Sequence, residues 1–117
     1  MDPIAMALPI LRDAFGPVTV STEIFPDRPD RLVVVTLVGG MTDGFVMDAM
    51  LGITCWGRDD HDALTMATLA ADALRDAAEE HPYIFSADLE SVSRDEWTLN
   101  GQARYYAQVR LTINTDE

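Results

Sequence analysis

The densest group of side chains able to do chemistry is the segment Arg58-Asp59-Asp60-His61-Asp62. Carboxylates and an imidazole are donor types that bind divalent cations. The start of a helix requires the same side chains, because acidic residues cap its first turn and interact favourably with its dipole. A long helical pattern follows directly, so we favour the capping role, with Asp59 or Asp60 as the N-cap, and predict no metal site.

Thiol chemistry is the second candidate. Cys55 is the single cysteine, so it has no disulfide partner within the chain and is expected to be reduced, as in the cytoplasm. His61 or His81 could act as its base. However, Cys55 lies in an alternating apolar pattern, where cysteine usually behaves as a small hydrophobe. His81 ends a helical pattern, where a cation complements the dipole. We therefore predict a buried thiol without a catalytic role.

The sequence contains no other catalytic signature. Gly39 and Gly40 are followed by Gly44, but neither a lysine nor a helix comes next, as a phosphate-binding loop requires. No nucleophile elbow is present. Two carboxylate pairs are predicted to be solvated surface: Glu79-Glu80 and Asp95-Glu96. We predict no enzymatic activity and no cofactor.

The charge balance restricts the partners. The 117 residues include 20 acidic side chains, eight arginines and no lysine, giving a formal net charge of −12. The arginines are scattered singly, so they form none of the basic clusters that bind nucleic acid. The longest uncharged run, residues 32–42, is too short to span a bilayer, and the first residues lack a basic signal-peptide head. We therefore expect neither specific nucleic-acid binding nor membrane insertion nor secretion.

The first half of the chain predicts one helix and two strands. The pair Asp2-Pro3 is a typical helix start and Gly16-Pro17 a typical stop, so a helix is expected over residues 3–15. Alternation predicts a strand over residues 18–24. A β-branched run predicts a strand over residues 32–38 that is buried on both faces. Three glycines in six residues predict an exposed loop over residues 39–44.

The second half predicts a strand, a helix and two strands. The strand over residues 45–56 has an apolar odd face, and the last strand, over residues 103–114, has the clearest alternation. The helix over residues 63–80 is rich in alanine, and its apolar side is expected to include Leu64 and Leu74. In the fourth strand, Phe85, Ala87 and Leu89 alternate with Ser86, Asp88 and Glu90. The chain is therefore predicted to be one α+β domain, residues 1–117. Its mostly antiparallel sheet of four to five strands would have the long helix on one face, besides a short N-terminal helix.

The polar face of this sheet is harder to explain as core. It carries methionine, aromatic and arginine side chains of the kind enriched in protein interfaces. They are Met50, Trp56, Arg104, Tyr106 and Arg110. Two interpretations remain open from the sequence: the face contacts another protein, or a second layer such as the N-terminal helix covers it.

The order of several motifs resembles the tail terminator (tail completion) proteins of long-tailed bacteriophages, especially those of actinobacterial phages and prophages. The motifs are a strand ending in Gly-Gly (LVVVTLVGG), a glycine-containing loop, a strand closing on Trp-Gly (ITCWG), a helix opening with acidic residues (DDHDALTMATLAADAL) and a last strand starting Ala-Arg-Tyr (ARYYAQVRLTI). The resemblance covers residues 2–114.

This resemblance implies a homohexameric ring at the head-proximal end of the tail tube, in the virion after assembly in the host cytoplasm. The ring would stop tube polymerisation, contact the tail-tube and head–tail connector proteins, and let DNA pass through its lumen without specific binding. It implies no catalytic residues. The glycine segment is a candidate contact by position: Gly39, Gly40, Met41, Asp43 and Gly44. The alternatives are another neck or head–tail connector component, or a small cellular ligand-binding domain or enzyme.

Overall fold

Two helices and five strands make up the computed structural model, which describes residues 2–24, 29–94 and 103–114. Both carboxylates of the predicted pair at positions 95–96 therefore lie outside the described residues. The elements follow one another in this order: α1 (Pro3–Phe15), β1 (Thr19–Ser21), β2 (Leu32–Asp43), β3 (Val46–Trp56), α2 (Asp60–Ala78), β4 (Ile84–Arg94) and β5 (Arg104–Asn114).

The strands form one sheet in the order β1-β2-β3-β5-β4. β1 pairs with β2 in parallel, over three residues, and every other pair is antiparallel. β5 lies between β3 and β4, so the last strand of the described chain occupies the interior of the sheet. The predicted fold class, a single α+β domain with a mostly antiparallel sheet, is confirmed.

Both helices pack on the same face of the sheet. The carboxylate of Asp2 accepts a hydrogen bond from the Ile4 amide at 2.9 Å and caps α1, which ends at Gly16. Pro9 lies within this helix, on its exposed side. α1 contacts α2, β1 and β2, whereas α2 contacts β3, β4 and β5. The buried residues of both helices and the odd positions of β3 and β5 form one core, which contains Leu11, Leu51, Ile53, Met66, Leu74, Val109, Leu111 and Ile113.

The predicted glycine loop over residues 39–44 is wrong. Gly39, Gly40, Met41, Thr42 and Asp43 continue β2 and pair with β3, and only Gly44 and Phe45 form the turn. A two-residue hairpin turn needs a positive φ, and Gly44 supplies one at 60°. Glycine content alone favours a loop here, but pairing with β3 holds these residues in an extended strand.

Four smaller expectations also fail. β1 is shorter than predicted, and β2 is buried only over residues 32–35. In β4, register shifts between Ile84 and Ser86 and between Leu89 and Ser91 interrupt the alternation, so that Phe85 is 57% exposed and Leu89 47% exposed. Leu64 of α2 is also largely exposed, because Ala63 and Met66 point into the core instead.

Candidate interaction surface

The acidic segment before α2 serves the start of that helix. Asp59 is the N-cap, and its Oδ1 accepts a hydrogen bond from the Asp62 amide at 2.7 Å. Asp62 accepts hydrogen bonds from the Arg58 amide at 3.0 Å and from Nε and Nη2 of Arg31 at 3.0 and 3.1 Å. The Arg58 backbone hydrogen bond and the Arg31 charge lower the pKa of Asp62. No group of three or more His, Cys, Asp or Glu side chains in the described ranges is arranged to hold a metal ion.

Cys55 is buried in the core, between the sheet and the helices. Burial raises the pKa of its thiol to about 12, so the thiol stays protonated at neutral pH. Of its two suggested partners, His61 is exposed at the start of α2, and His81 accepts a hydrogen bond from the Tyr83 amide at 3.1 Å. This environment is that of a small core hydrophobe.

The sheet face opposite the helices, called the open face below, is the main candidate surface. Residues directly opposite each other in antiparallel strands point to the same side. The register therefore places Gly39, Met50 and Arg110 in one row across the face, and Met41, Asp48 and Thr112 in the next. In the part of the chain that the structure describes, no helix packs on this face, so α1 does not form the second layer considered above.

The centre of the open face is closely packed around Gly52. A Cβ atom at this glycine would lie 2.5 Å from the Tyr106 hydroxyl oxygen, 2.8 Å from Val38 Cγ2 and 3.0 Å from Thr36 Oγ1. Gly52 thus leaves the space that the Tyr106 ring occupies. The Gln108 amide donates a hydrogen bond to the Tyr106 hydroxyl at 3.4 Å. Tyr106, one of the predicted interface residues, is therefore half-buried within the subunit.

Trp56 and Arg104 lie at one end of the open face. Trp56 is only 2% exposed and packs with Leu32 and Val34. The Arg104 guanidinium carbon lies 5.6 Å from the centre of the Trp56 ring, which is within cation–π distance. Both residues are thus engaged inside the subunit, and Trp56 presents little surface to a partner.

The other end of the open face contains a shallow cavity of about 440 Å³. It is lined by Gly39, Gly40, Met41, Asp48, Met50 and Arg110. The structure therefore brings four of the predicted interface residues together: Gly39, Gly40, Met41 and Arg110. Gly44 lies at the hairpin turn nearby, whereas the side chain of Asp43 lies outside the described part.

Asp48 was not among the predicted site residues. Its Oδ1 accepts a hydrogen bond from the Thr112 hydroxyl at 2.7 Å. Arg110 lies in the neighbouring row and pairs with Glu90 at 3.2 Å. The even position of Asp48 in β3, opposite the polar side of β5, is the sequence signal that could have identified it.

Comparison with known proteins adds no functional assignment. No protein-family model matches the chain, and a search of curated proteins finds no significant match. Neither helix in the described residues is long and apolar enough to cross a membrane.

Proposed function

We propose that the protein is a structural subunit of the tail of a long-tailed bacteriophage, a tail terminator. Six copies form a ring at the head-proximal end of the tail tube, where they stop tube polymerisation and provide the surface for head attachment. The order of motifs over residues 2–114 supports this role. The observation that carries it is an open sheet face with a methionine- and arginine-lined cavity, which suits contact with another protein.

A ring requires heterologous contacts, in which two different patches of each subunit meet. The cavity end of the open face supplies one such patch, with Met41, Met50 and Arg110. Arg110 is about half exposed and available for a carboxylate of the neighbouring subunit besides Glu90. Because the chain carries 20 acidic groups, acidic partners for this arginine are abundant on a second copy.

The negative charge also suits a ring through which DNA passes. Six subunits carry a formal charge of −72, which disfavours adhesion of a polyanion to the lumen.

The same charge opposes ring closure. Raising NaCl from about 0.01 to 0.15 M shortens the Debye length from about 30 to 8 Å, so we expect ring formation to increase with salt. Rings that form at low salt and dissociate as salt rises would instead indicate that intersubunit ion pairs dominate.

The direct test combines assembly with particle morphology. Arg110→Glu should remain folded but fail to form rings with tail-tube subunits in sedimentation. Arg75→Glu is the control, because Arg75 is exposed on α2 and pairs with neighbouring helix residues, Asp72 and Asp76. Phage assembly without the protein should yield overlong tail tubes that are not joined to heads. Tails of normal length that fail to join heads would favour the head–tail connector role, and normal assembly of Arg110→Glu would contradict the proposed contact.

A further inference from the structure

The two outer edges of the sheet are protected to different degrees. β4 forms one edge and carries Asp88, Glu90 and Arg94, together with the two register shifts described above. Charges and bulges on an edge strand prevent other strands from adding to it, because they interrupt the row of backbone donors and acceptors. β4 therefore has the features of an edge that stays unpaired.

The edge formed by β2 is less protected beyond its first residues: it has one register shift, between Leu37 and Gly39, and carries no charge over residues 36–42. β1 pairs only with Leu32, Val33 and Val34. In the described part of the chain, no strand lies outside residues 35–43. Residues 36–42 are all exposed and uncharged, and they include Leu37, Val38 and Met41, which are 45%, 50% and 74% exposed. A long, uncharged and apolar edge of this kind readily binds a further strand.

We propose that the outer edge of β2, residues 36–42, binds an extended basic segment of a different protein as an additional strand. Every second residue of an edge strand directs its N–H and C=O groups outward, and an extended polypeptide is the ligand that satisfies such a row. The inference does not require a ring, because it concerns binding to a single copy of the chain, although the adjoining cavity lies on the same open face as the proposed ring contact.

The cavity beside this edge selects the side chain of the added strand. Gly39 has no side chain, so the cavity is accessible from the edge at this position. The row of residues that begins at Gly39 continues across the sheet to Met50 and Arg110. A lysine or arginine opposite Gly39 would lay its aliphatic stem against Met50 and bring its charge to Asp48. Arg110 is paired with Glu90, and Asp48 retains capacity to accept further hydrogen bonds besides the one from Thr112.

Charge argues against a second copy of this chain as the occupant. Each copy carries a formal charge of −12 and no lysine, and pairing two β2 edges would bring both hairpins, each with an Asp48 carboxylate, close together. A basic segment is attracted by the same charge and is guided to the edge by it. The partner is therefore expected to expose a short extended stretch with alternating apolar residues and a central basic residue.

A designed peptide tests this inference on the complete chain. Its nine residues alternate threonine and valine, with lysine at the centre, so that either strand direction can place lysine opposite Gly39. Leu37→Lys should weaken peptide binding about tenfold or more, because it puts a charge on the edge and removes an apolar contact. Leu89→Lys is the matched control, since Leu89 is an equally exposed leucine on the protected edge strand β4; it should change binding less than about twofold.

Two further comparisons separate the backbone and side-chain contributions. N-methylation of alternate peptide residues should abolish binding, because it removes the N–H donors of one edge. Asp48→Asn should weaken binding of the lysine peptide about threefold to tenfold and leave binding of a threonine-centred peptide unchanged.

Equal losses of peptide binding from Leu37→Lys and Leu89→Lys, or no binding of the lysine peptide, would overturn the proposal. A wild-type dimer that Leu37→Lys converts to a monomer would assign the edge to a second copy instead. Ring assembly of Arg110→Glu tests the proposed function and is measured in an experiment separate from peptide binding.

Discussion

The two faces of the sheet use the same strands but meet different physical demands. On the helix-covered face, the alternate positions from Ala49 to Cys55 and from Ala107 to Ile113 are fully buried, and all are apolar, such as Leu51 and Val109. On the open face, most of the intervening residues, such as Met50 and Gln108, are half-buried or exposed. Burial under a helix therefore determines residue type on one face, whereas the other face is free to carry side chains that bind a partner.

The largest expected effect is on the covered face. Leu51→Ala should lower the free energy of unfolding by about 2–5 kcal/mol, because it removes buried methyl groups and leaves a cavity. Met50→Ala, one residue away on the open face, should cost less than about 1 kcal/mol. Urea denaturation of both variants measures the difference, and equal losses would show that the faces do not differ in packing.

An exchange of hydroxyl and methyl groups should give a smaller contrast. Val109→Thr buries a hydroxyl on the covered face and should cost about 1–3 kcal/mol. Thr112→Val removes the hydrogen bond to Asp48 on the open face, at an exposed position, and should change stability by less than about 0.5 kcal/mol. Thermal melting of the two variants ranks them. A larger loss from Thr112→Val would mean that the open face is the more demanding environment.

Packing on the open face is close around Gly52, and there the effect should be about 1 kcal/mol. Gly52→Ala would place a methyl group on the Tyr106 hydroxyl, which must move, together with Val38 and Thr36. Tyr106→Phe removes the atom nearest to the new methyl group. The double variant should therefore recover part of the stability lost in Gly52→Ala, and a double-mutant cycle by denaturation measures this coupling. Purely additive losses would contradict the contact.

The smallest effect concerns the ion pair between Arg31, which directly precedes β2, and Asp62 of α2. The folded state lowers the pKa of Asp62, so its contribution to stability is full above the unfolded value near 4 and is lost as pH falls through the folded value. Asp62→Asn should cost about 1 kcal/mol or less at pH 7. The gap between wild type and variant should narrow as pH falls from 5 towards 3. Asp76→Asn, an exposed position on α2, is the control; a gap that widens in acid would contradict this account.

Local patterns predicted much of the fold correctly. The Asp2 cap and Gly16 fixed α1 to the observed residues, because capping depends only on neighbouring backbone groups. The alternation of β5 predicted its buried face, since a strand under a helix must present apolar residues at every second position. These features are encoded over short stretches of the chain, which makes them accessible without knowledge of the partners in space.

Other features depend on partners distant in sequence and were not accessible. Gly39 and Gly40 belong to β2 because β3 pairs with them, although glycine favours turns. Trp56 is buried because it packs with Leu32 and Val34 on β2, which no local pattern reveals. For the candidate site, the sequence identified Arg110 and Met41 separately, but only the register across three strands brings them around one cavity with Asp48.

The interior position of β5 has a consequence for biosynthesis. Val46 at the start of β3 pairs with Asn114, 68 positions further along the chain. Until residues 104–114 have left the ribosome, β3 lacks its neighbour and β4 has no strand to join. The hairpin of β2 and β3 can form early, but the nascent sheet would expose an incomplete apolar face until β5 is available. Cooperative folding is therefore expected only after release of this last strand, and a pause before it would prolong dependence on chaperones.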